Sequence, residues 1–188
     1  MYFVILFSCI GLIVGLNLAY DMSLVTAEYL LLSFVCVLLP SLISLIVIRL
    51  LPKKWFNWTN KAYFVSKNEQ NFYVKMGVKV WKDKIPNCMG KVKNYQAENN
   101  GEMSSEYLEL FLRESCYGEA LHIACVLFGL VGMFFVPIHL VPRMTLPIWV
   151  VYAIYNLPSI IIQRYNRPRL IVALKRAKMV EERKKSET

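Results

Sequence analysis

Apolar and polar positions along this chain fall into blocks. Residues 2–19, 29–51, 120–141 and 146–162 are almost wholly apolar, and residues 52–118 between the second and third blocks are polar. A helix needs about 20 apolar residues to cross the ~30 Å hydrocarbon core of a bilayer. The pattern therefore predicts an all-α integral membrane protein of about four transmembrane helices. Pro40 lies inside the second block and Pro137 near the end of the third; proline is tolerated in spanning helices and can kink them. The fourth block is short and holds Asn156 and Pro158. A polar side chain and a helix breaker there point to a packed or functional face instead of plain lipid contact.

The first block competes with a cleaved signal peptide as a reading. It has no Lys or Arg ahead of it, the first being Arg49, and its apolar run is long for a signal, so a retained helix is expected. Charges between the blocks orient the set. The first connection carries Asp21 and Glu28 and no base, and the connection between blocks three and four carries only Arg143. Lysines crowd the segment after block two, from Lys53 to Lys84, and Arg164, Arg167, Arg169, Lys175, Arg176 and Lys178 follow block four. The positive-inside rule places both regions in the cytoplasm. The expectation is a multi-pass cell-membrane protein with cytoplasmic termini.

The expected organisation is a helix pair over 1–51, an interfacial region over 52–118, a second helix pair over 119–172 and a charged tail over 173–188. In the interfacial region Trp55, Phe56, Trp58, Tyr63, Phe64, Phe72, Tyr73 and Trp81 alternate with lysines. Trp and Tyr favour the headgroup layer, where Lys stems snorkel, so short helices lying on the cytoplasmic leaflet are expected. Residues 72–81 also fit a strand, since Val74, Met76, Val78 and Val80 alternate with Lys75, Gly77 and Lys79. "NYQAENNGEMSS" (94–105) reads as a loop, and Ser104 or Ser105 as the cap of a helix on which Glu109 and Arg113 can pair. The tail reads as a solvated helix end or a disordered segment.

Composition narrows the function classes. Of 188 residues 56% are hydrophobic, against 45–50% in ordinary soluble domains. The five cysteines are odd in number and form no CxxC, which argues against a disulfide framework or a zinc site. The net charge of +9 flanks the apolar blocks without a nucleic-acid-reading pattern. Anionic headgroups or a phosphorylated ligand at the membrane surface suit it better. GxSxG, P-loop, GxGxxG, HxxxxD and HExxH signatures are all missing from the sequence. Their absence argues against a hydrolase or kinase, and leaves direct group transfer or no chemistry.

Two clusters carry candidate chemistry. In "RESCYGEALHI" (113–123), Glu119 and His122 stand three apart on one helix face at the entrance of block three. A carboxylate beside an imidazole orients the ring and raises its basicity, as a general base for a hydroxyl requires. At the exit of block four, "IIIQRYNRPRL" (160–170) ends an apolar run in Gln163, Arg164, Tyr165, Asn166, Arg167 and Arg169. Arginines after a membrane helix are often only orientation signals, but Arg also suits forked recognition of phosphate or carboxylate. An antiparallel hairpin of blocks three and four would bring both clusters to one depth. Trp81 and Lys82 in "VWKDKIPNCMG" (80–90) offer another edge. Tyr152, Tyr155 and Asn156 either join helices or contact substrate.

These motifs resemble the glycosyl-4,4'-diaponeurosporenoate acyltransferase family, the small membrane enzymes of the last step of staphyloxanthin biosynthesis. "QRYNRPRL" (163–170) is similar to that family's hallmark, "GEALHI" (118–123) to its Ala-Glu-x-x-His pattern at Glu119 and His122, and "VWKDKIP" (80–86) to its Trp-Lys stretch. "LNLA" (16–19) is a weaker match in the first helix. The likeness covers roughly residues 50–172, and the second apolar block departs from it. It implies transfer of a fatty acyl group onto a sugar hydroxyl of a glycosylated carotenoid or similar glycolipid, with His122 as base oriented by Glu119. It further implies that Arg164, Arg167 or Arg169 holds donor phosphate or stabilises the oxyanion. The donor would be acyl-CoA or another activated acyl carrier, used as substrate; no cofactor, metal or nucleic acid is expected. The sequence leaves oligomeric state open. Rival readings are another membrane-interface enzyme on a prenyl or glycolipid substrate, such as a small methyltransferase or reductase, and a non-catalytic membrane partner protein.

Overall fold

The structure, a computed structural model, describes residues 2–85 and 104–186. The described residues are all-helical and contain no strand. The helices are α1 (Tyr2–Tyr20), α2 (Leu24–Leu50), α3 (Lys67–Lys75), α4 (Val78–Trp81), α5 (Ser105–Val131) and α6 (Thr145–Ser186). Short 3-10 turns occupy Lys53–Phe56, Lys61–Tyr63, Lys82–Lys84 and Gly132–Phe135. Leu24–Leu50, Ser105–Phe135 and Thr145–Ser186 are long and apolar enough to cross a membrane, and α1 is a shorter apolar helix.

Several boundaries depart from expectation for physical reasons. The third apolar block belongs to a helix that starts fifteen residues earlier, at Ser105, where the Tyr107 amide donates to the Ser104 side chain at 3.2 Å. That hydroxyl satisfies one of the otherwise orphaned first-turn donors. The helix ends at Val131, ten residues before the expected limit. Val136 is extended (φ −114°, ψ 141°) because a residue preceding proline is pushed out of the helical region. α6 runs through Pro158 and Pro168 and takes in the tail to Ser186. Residues 72–81 are helical, with a break at Gly77, whose φ of +65° starts α4. The expected loop over 94–105 and Cys88 lie outside the described residues, except for Ser104 and Ser105.

Contacts divide the chain into two compact units. The first comprises residues 1–50 and 120–158. Its α2 buries Thr26, Ser33, Ser41 and Ser44 alongside Leu30 and Val37, while Leu31 is 66% exposed and Ile46 65%. Where the surroundings are as apolar as leucine, helices associate through small residues and hydrogen bonds instead. The Ser33 hydroxyl donates to Tyr29 O and meets Thr145 Oγ1 at 2.9 Å. The Tyr152 phenol donates to Ser41 Oγ at 2.5 Å, and Trp149 Nε1 to Val126 O at 3.0 Å. Asn17 ties α1 in by donating to Arg143 O at 3.2 Å. Pro40 has no N–H, so the Cys36 carbonyl loses its helical donor. A Cβ on Gly132 would stand 2.7 Å from that oxygen, so only glycine permits the approach.

The second unit comprises residues 51–119 and 159–188. It has a conventional apolar core. Tyr107, Leu108, Leu112 and Leu174 form one cluster, and Val65, Tyr73, Val78 and Tyr165 another. The aromatic residues expected at the interface divide: Phe56, Tyr63 and Tyr73 are buried, whereas Trp55, Phe64 and Phe72 face outward. Phe56 stacks on Tyr117 with ring centroids 3.9 Å apart. Glu181 accepts from the amide and hydroxyl of Ser105 at 2.8 and 2.6 Å, placing a carboxylate at the start of α5 where the helix dipole favours it. Glu109 pairs across helices with Lys178 at 2.5 Å, in place of the expected partner Arg113 on its own helix.

Candidate functional site

In the second unit, four charged side chains lock together. Arg164, on α6, forks onto Glu69 of α3, with Nε to Oε1 at 2.5 Å and Nη2 to Oε2 at 3.0 Å. Its Nη1 reaches Glu119 Oε1 of α5 at 2.5 Å, and its Nη2 donates to Phe64 O at 3.0 Å. Arg167, one turn along α6, donates to Tyr63 O at 3.0 Å and to the Ser115 carbonyl and hydroxyl at 3.3 and 3.2 Å. It lies 2.6 Å from Glu119 Oε2, off the hydrogen-bonding direction, so that oxygen and Arg167 Nε have no hydrogen bond among the described residues. Arg167 is 1% exposed and Glu119 2%. Two cations and two anions cancel, which is the condition under which charges tolerate burial.

Titration follows the contacts. The Arg164 guanidinium holds the Glu69 carboxyl below its usual value. Burial, helped by donation to Glu69 Oε1 at 2.6 Å, pushes the Tyr73 phenol up to about 12. Burial also pushes Tyr63 up to about 12.

The rest of the 163–169 motif packs around this network. Gln163 covers Gly118, where an added Cβ would meet its amide nitrogen at 3.1 Å. Tyr165 is buried beside Tyr73 and Val78. Arg169 lies over the Tyr165 ring at 3.8 Å, donates to Tyr165 O and keeps an exposed position. Asn166 is half-buried. Trp81 packs partly against the same cluster and donates to Met76 O at 3.3 Å; Lys82 pairs with its neighbour Asp83 at 2.7 Å.

In the first unit, His122 and Asn156 meet. His122 Nδ1 lies 2.8 Å from Asn156 Oδ1, and Asn156 Nδ2 donates to Tyr152 O at 2.8 Å. The second bond fixes which way the amide points, so Oδ1 faces the ring and accepts from Nδ1–H. The lone pair is then left on Nε2. Beside the pair runs a cavity of about 340 Å³ with almost wholly apolar walls. Leu38, Ser41, Leu42 and Leu45 of α2, Leu121, His122 and Cys125 of α5, and Tyr152 and Asn156 of α6 line it.

Sequence spacing therefore found the residues and mispaired them. Glu119, expected to orient His122, has both carboxylate oxygens beside arginines in the second unit. His122, in the first unit, takes its orientation from Asn156, an amide expected to contact substrate. Arg164 and Arg167, expected to hold a phosphate or carboxylate of a ligand, direct their terminal nitrogens at protein acceptors, and Arg167 Nε is buried. Glu69 and Ser41 were not foreseen. A signal for Glu69 existed: it is the one acidic residue between 52 and 82 in a lysine-rich stretch, and so the natural counter-ion for a buried arginine.

A family model described as CrtO, glycosyl-4,4'-diaponeurosporenoate acyltransferase, matches residues 52–176. The matched span contains the Arg–Glu network, His122 and Asn156, and leaves out α1 and α2. Comparison with curated proteins and with solved structures gave no match.

Proposed function

Because the chain belongs to the glycosyl-4,4'-diaponeurosporenoate acyltransferase family and is thus an acyltransferase of carotenoid biosynthesis, we propose that it esterifies a sugar hydroxyl of a glycosylated carotenoid with a fatty acyl group. The donor is an activated acyl thioester such as acyl-CoA. The protein spans the cell membrane with both termini in the cytoplasm, and the sugar is presented at the inner headgroup layer. The observation carrying this reading is the His122–Asn156 pair beside an apolar cavity.

In this reading His122 Nε2 takes the proton of the sugar hydroxyl as its oxygen attacks the thioester carbonyl carbon. The carbon–sulfur bond breaks, and the proton passes to the departing thiolate, giving ester and free thiol. Asn156 holds the imidazole in the tautomer that leaves Nε2 basic. Arg164 and Arg167 support the fold by fastening α6 to α5 and to the connecting segment. Arg169, the motif arginine exposed on the second unit, is the cation that contacts substrate phosphate, with Trp81 and Lys82 as further substrate contacts.

The test is reconstitution. Purified protein in lipid nanodiscs, given glycosyl-4,4'-diaponeurosporenoate and palmitoyl-CoA, is expected to yield the monoacyl ester and one equivalent of free coenzyme A. Consumption of thioester without ester, or no turnover with any acyl thioester, would overturn the assignment.

A further inference from the structure

The cavity wall contributed by α2 lies outside the residues that match the family model. All the cavity's lining residues belong to the first unit. Ser41 meets Tyr152 at 2.5 Å, and Cys125 Sγ lies 4.0 Å from Ser41 O, so these three share a depth. His122 is three residues before Cys125 and Asn156 four after Tyr152, which places their bonded pair one turn further on. Leu45, four residues after Ser41, stands at that same depth, and Leu38 stands one turn back on the opposite side. From Leu45 to Leu38 is seven residues, or about 10 Å of helix. The cavity is therefore bounded at one end by His122 and Asn156, and its apolar track runs past Leu42 to Leu38.

We propose that this track binds the acyl chain of the donor, with Leu38 and Leu42 of α2 acting as the gauge of its length. The inference rests on the acyl-transfer reading above. Three features favour an acyl chain over the carotenoid acceptor as occupant. A saturated chain is flexible and can follow a short track between helices, whereas a long conjugated polyene is a rigid rod. His122 bounds one end of the track, and a base must lie beside the reactive carbonyl for the hydroxyl to attack. The track is apolar and lies within the usual size range of small-molecule sites, about 300–1,000 Å³. Leu38 and Leu42 are 46% and 59% exposed, so larger side chains can be placed there without overpacking a core.

The experiment is a competition. Protein in nanodiscs receives glycosyl-4,4'-diaponeurosporenoate with equal octanoyl-CoA and palmitoyl-CoA, and the two esters are quantified by mass spectrometry. Leu38→Trp and, independently, Leu42→Trp are compared with Leu39→Trp, a half-exposed α2 position that does not line the track. The palmitoyl-to-octanoyl ratio is expected to fall about tenfold or more in the first two, the scale of discrimination a pocket wall provides. Leu39→Trp should leave it at the wild-type value. Ester formed at an unchanged ratio by both track variants would overturn the gauge and leave the acyl-transfer reading standing. So would a change in discrimination among acceptors of different polyene length with the acyl ratio unmoved. No ester from wild-type protein with either donor would overturn both.

Discussion

Replacing Glu119 with Gln removes one charge from a network that is neutral only when complete. Glu119 is 2% exposed and Arg167 1%, so Arg167 would remain buried with Tyr63 O and Ser115 as its acceptors and no anion beside it. Arg164 would keep its fork onto Glu69. Stranding a buried charge by removing its partner costs about 3–5 kcal/mol. For a chain of this size each kcal/mol moves the melting temperature by about 2–4 °C, so Glu119→Gln should melt about 6–20 °C lower. Cys116 reports the event: it is fully buried in the same unit, and a thiol-reactive dye labels it only once that unit opens. Melting would be followed by dye fluorescence in nanodiscs, in a variant whose other cysteines are serine. The double variant Glu119→Leu with Arg167→Met removes both charges and should recover much of the loss. A Glu119→Gln protein melting within about 2 °C of its parent, less than 1 kcal/mol on this scale, would mean that Arg167 does not depend on Glu119 for its burial. A double variant no better than the single would mean the same.

Three further outcomes follow from the geometry. Arg164 lowers the folded pKa of Glu69, so this group's contribution is complete above the unfolded value of about 4.5 and is lost as pH falls through the folded one. Acid should therefore lower the Cys116-reported melting temperature, and Glu69→Gln should flatten that dependence. Gly132→Ala pushes a methyl to 2.7 Å from the Cys36 backbone oxygen and should destabilise the first unit by about 1–3 kcal/mol, read by thermal unfolding. Asn156→Ala should cut kcat about tenfold or more and add little further loss when combined with His122→Ala, because the two act as a unit. Independent losses in the double variant would reduce Asn156 to a structural role.

The apolar blocks revealed the helices because a segment long and greasy enough to cross a bilayer must satisfy its own backbone. They did not reveal where helices continue. Ser105–Glu119 and Gln163–Ser186 are more polar extensions, stabilised by contacts such as Glu181 with Ser105 and Glu109 with Lys178 that join residues more than sixty positions apart. Val136 marks a stop that the Pro137 rule gives directly, though the hydropathy run obscures it. The site was legible as a set of residue types and illegible as a set of pairs. Helical spacing offers Glu119 and His122 to each other, but a buried arginine binds a carboxylate far more strongly than an imidazole does. Arg164 and Arg167 therefore claim Glu119, and Asn156 holds His122. Such competition depends on which charges are buried, and burial follows from packing that one-dimensional spacing does not encode.

The proposed acyl transfer turns on His122 acting as its base. The direct measurement is ester formation by His122→Ala in nanodiscs, with palmitoyl-CoA and glycosyl-4,4'-diaponeurosporenoate, normalised to protein of unchanged melting temperature. Loss of a general base predicts a kcat lower by about 10²–10⁴-fold. Ester formation at the wild-type rate would contradict it.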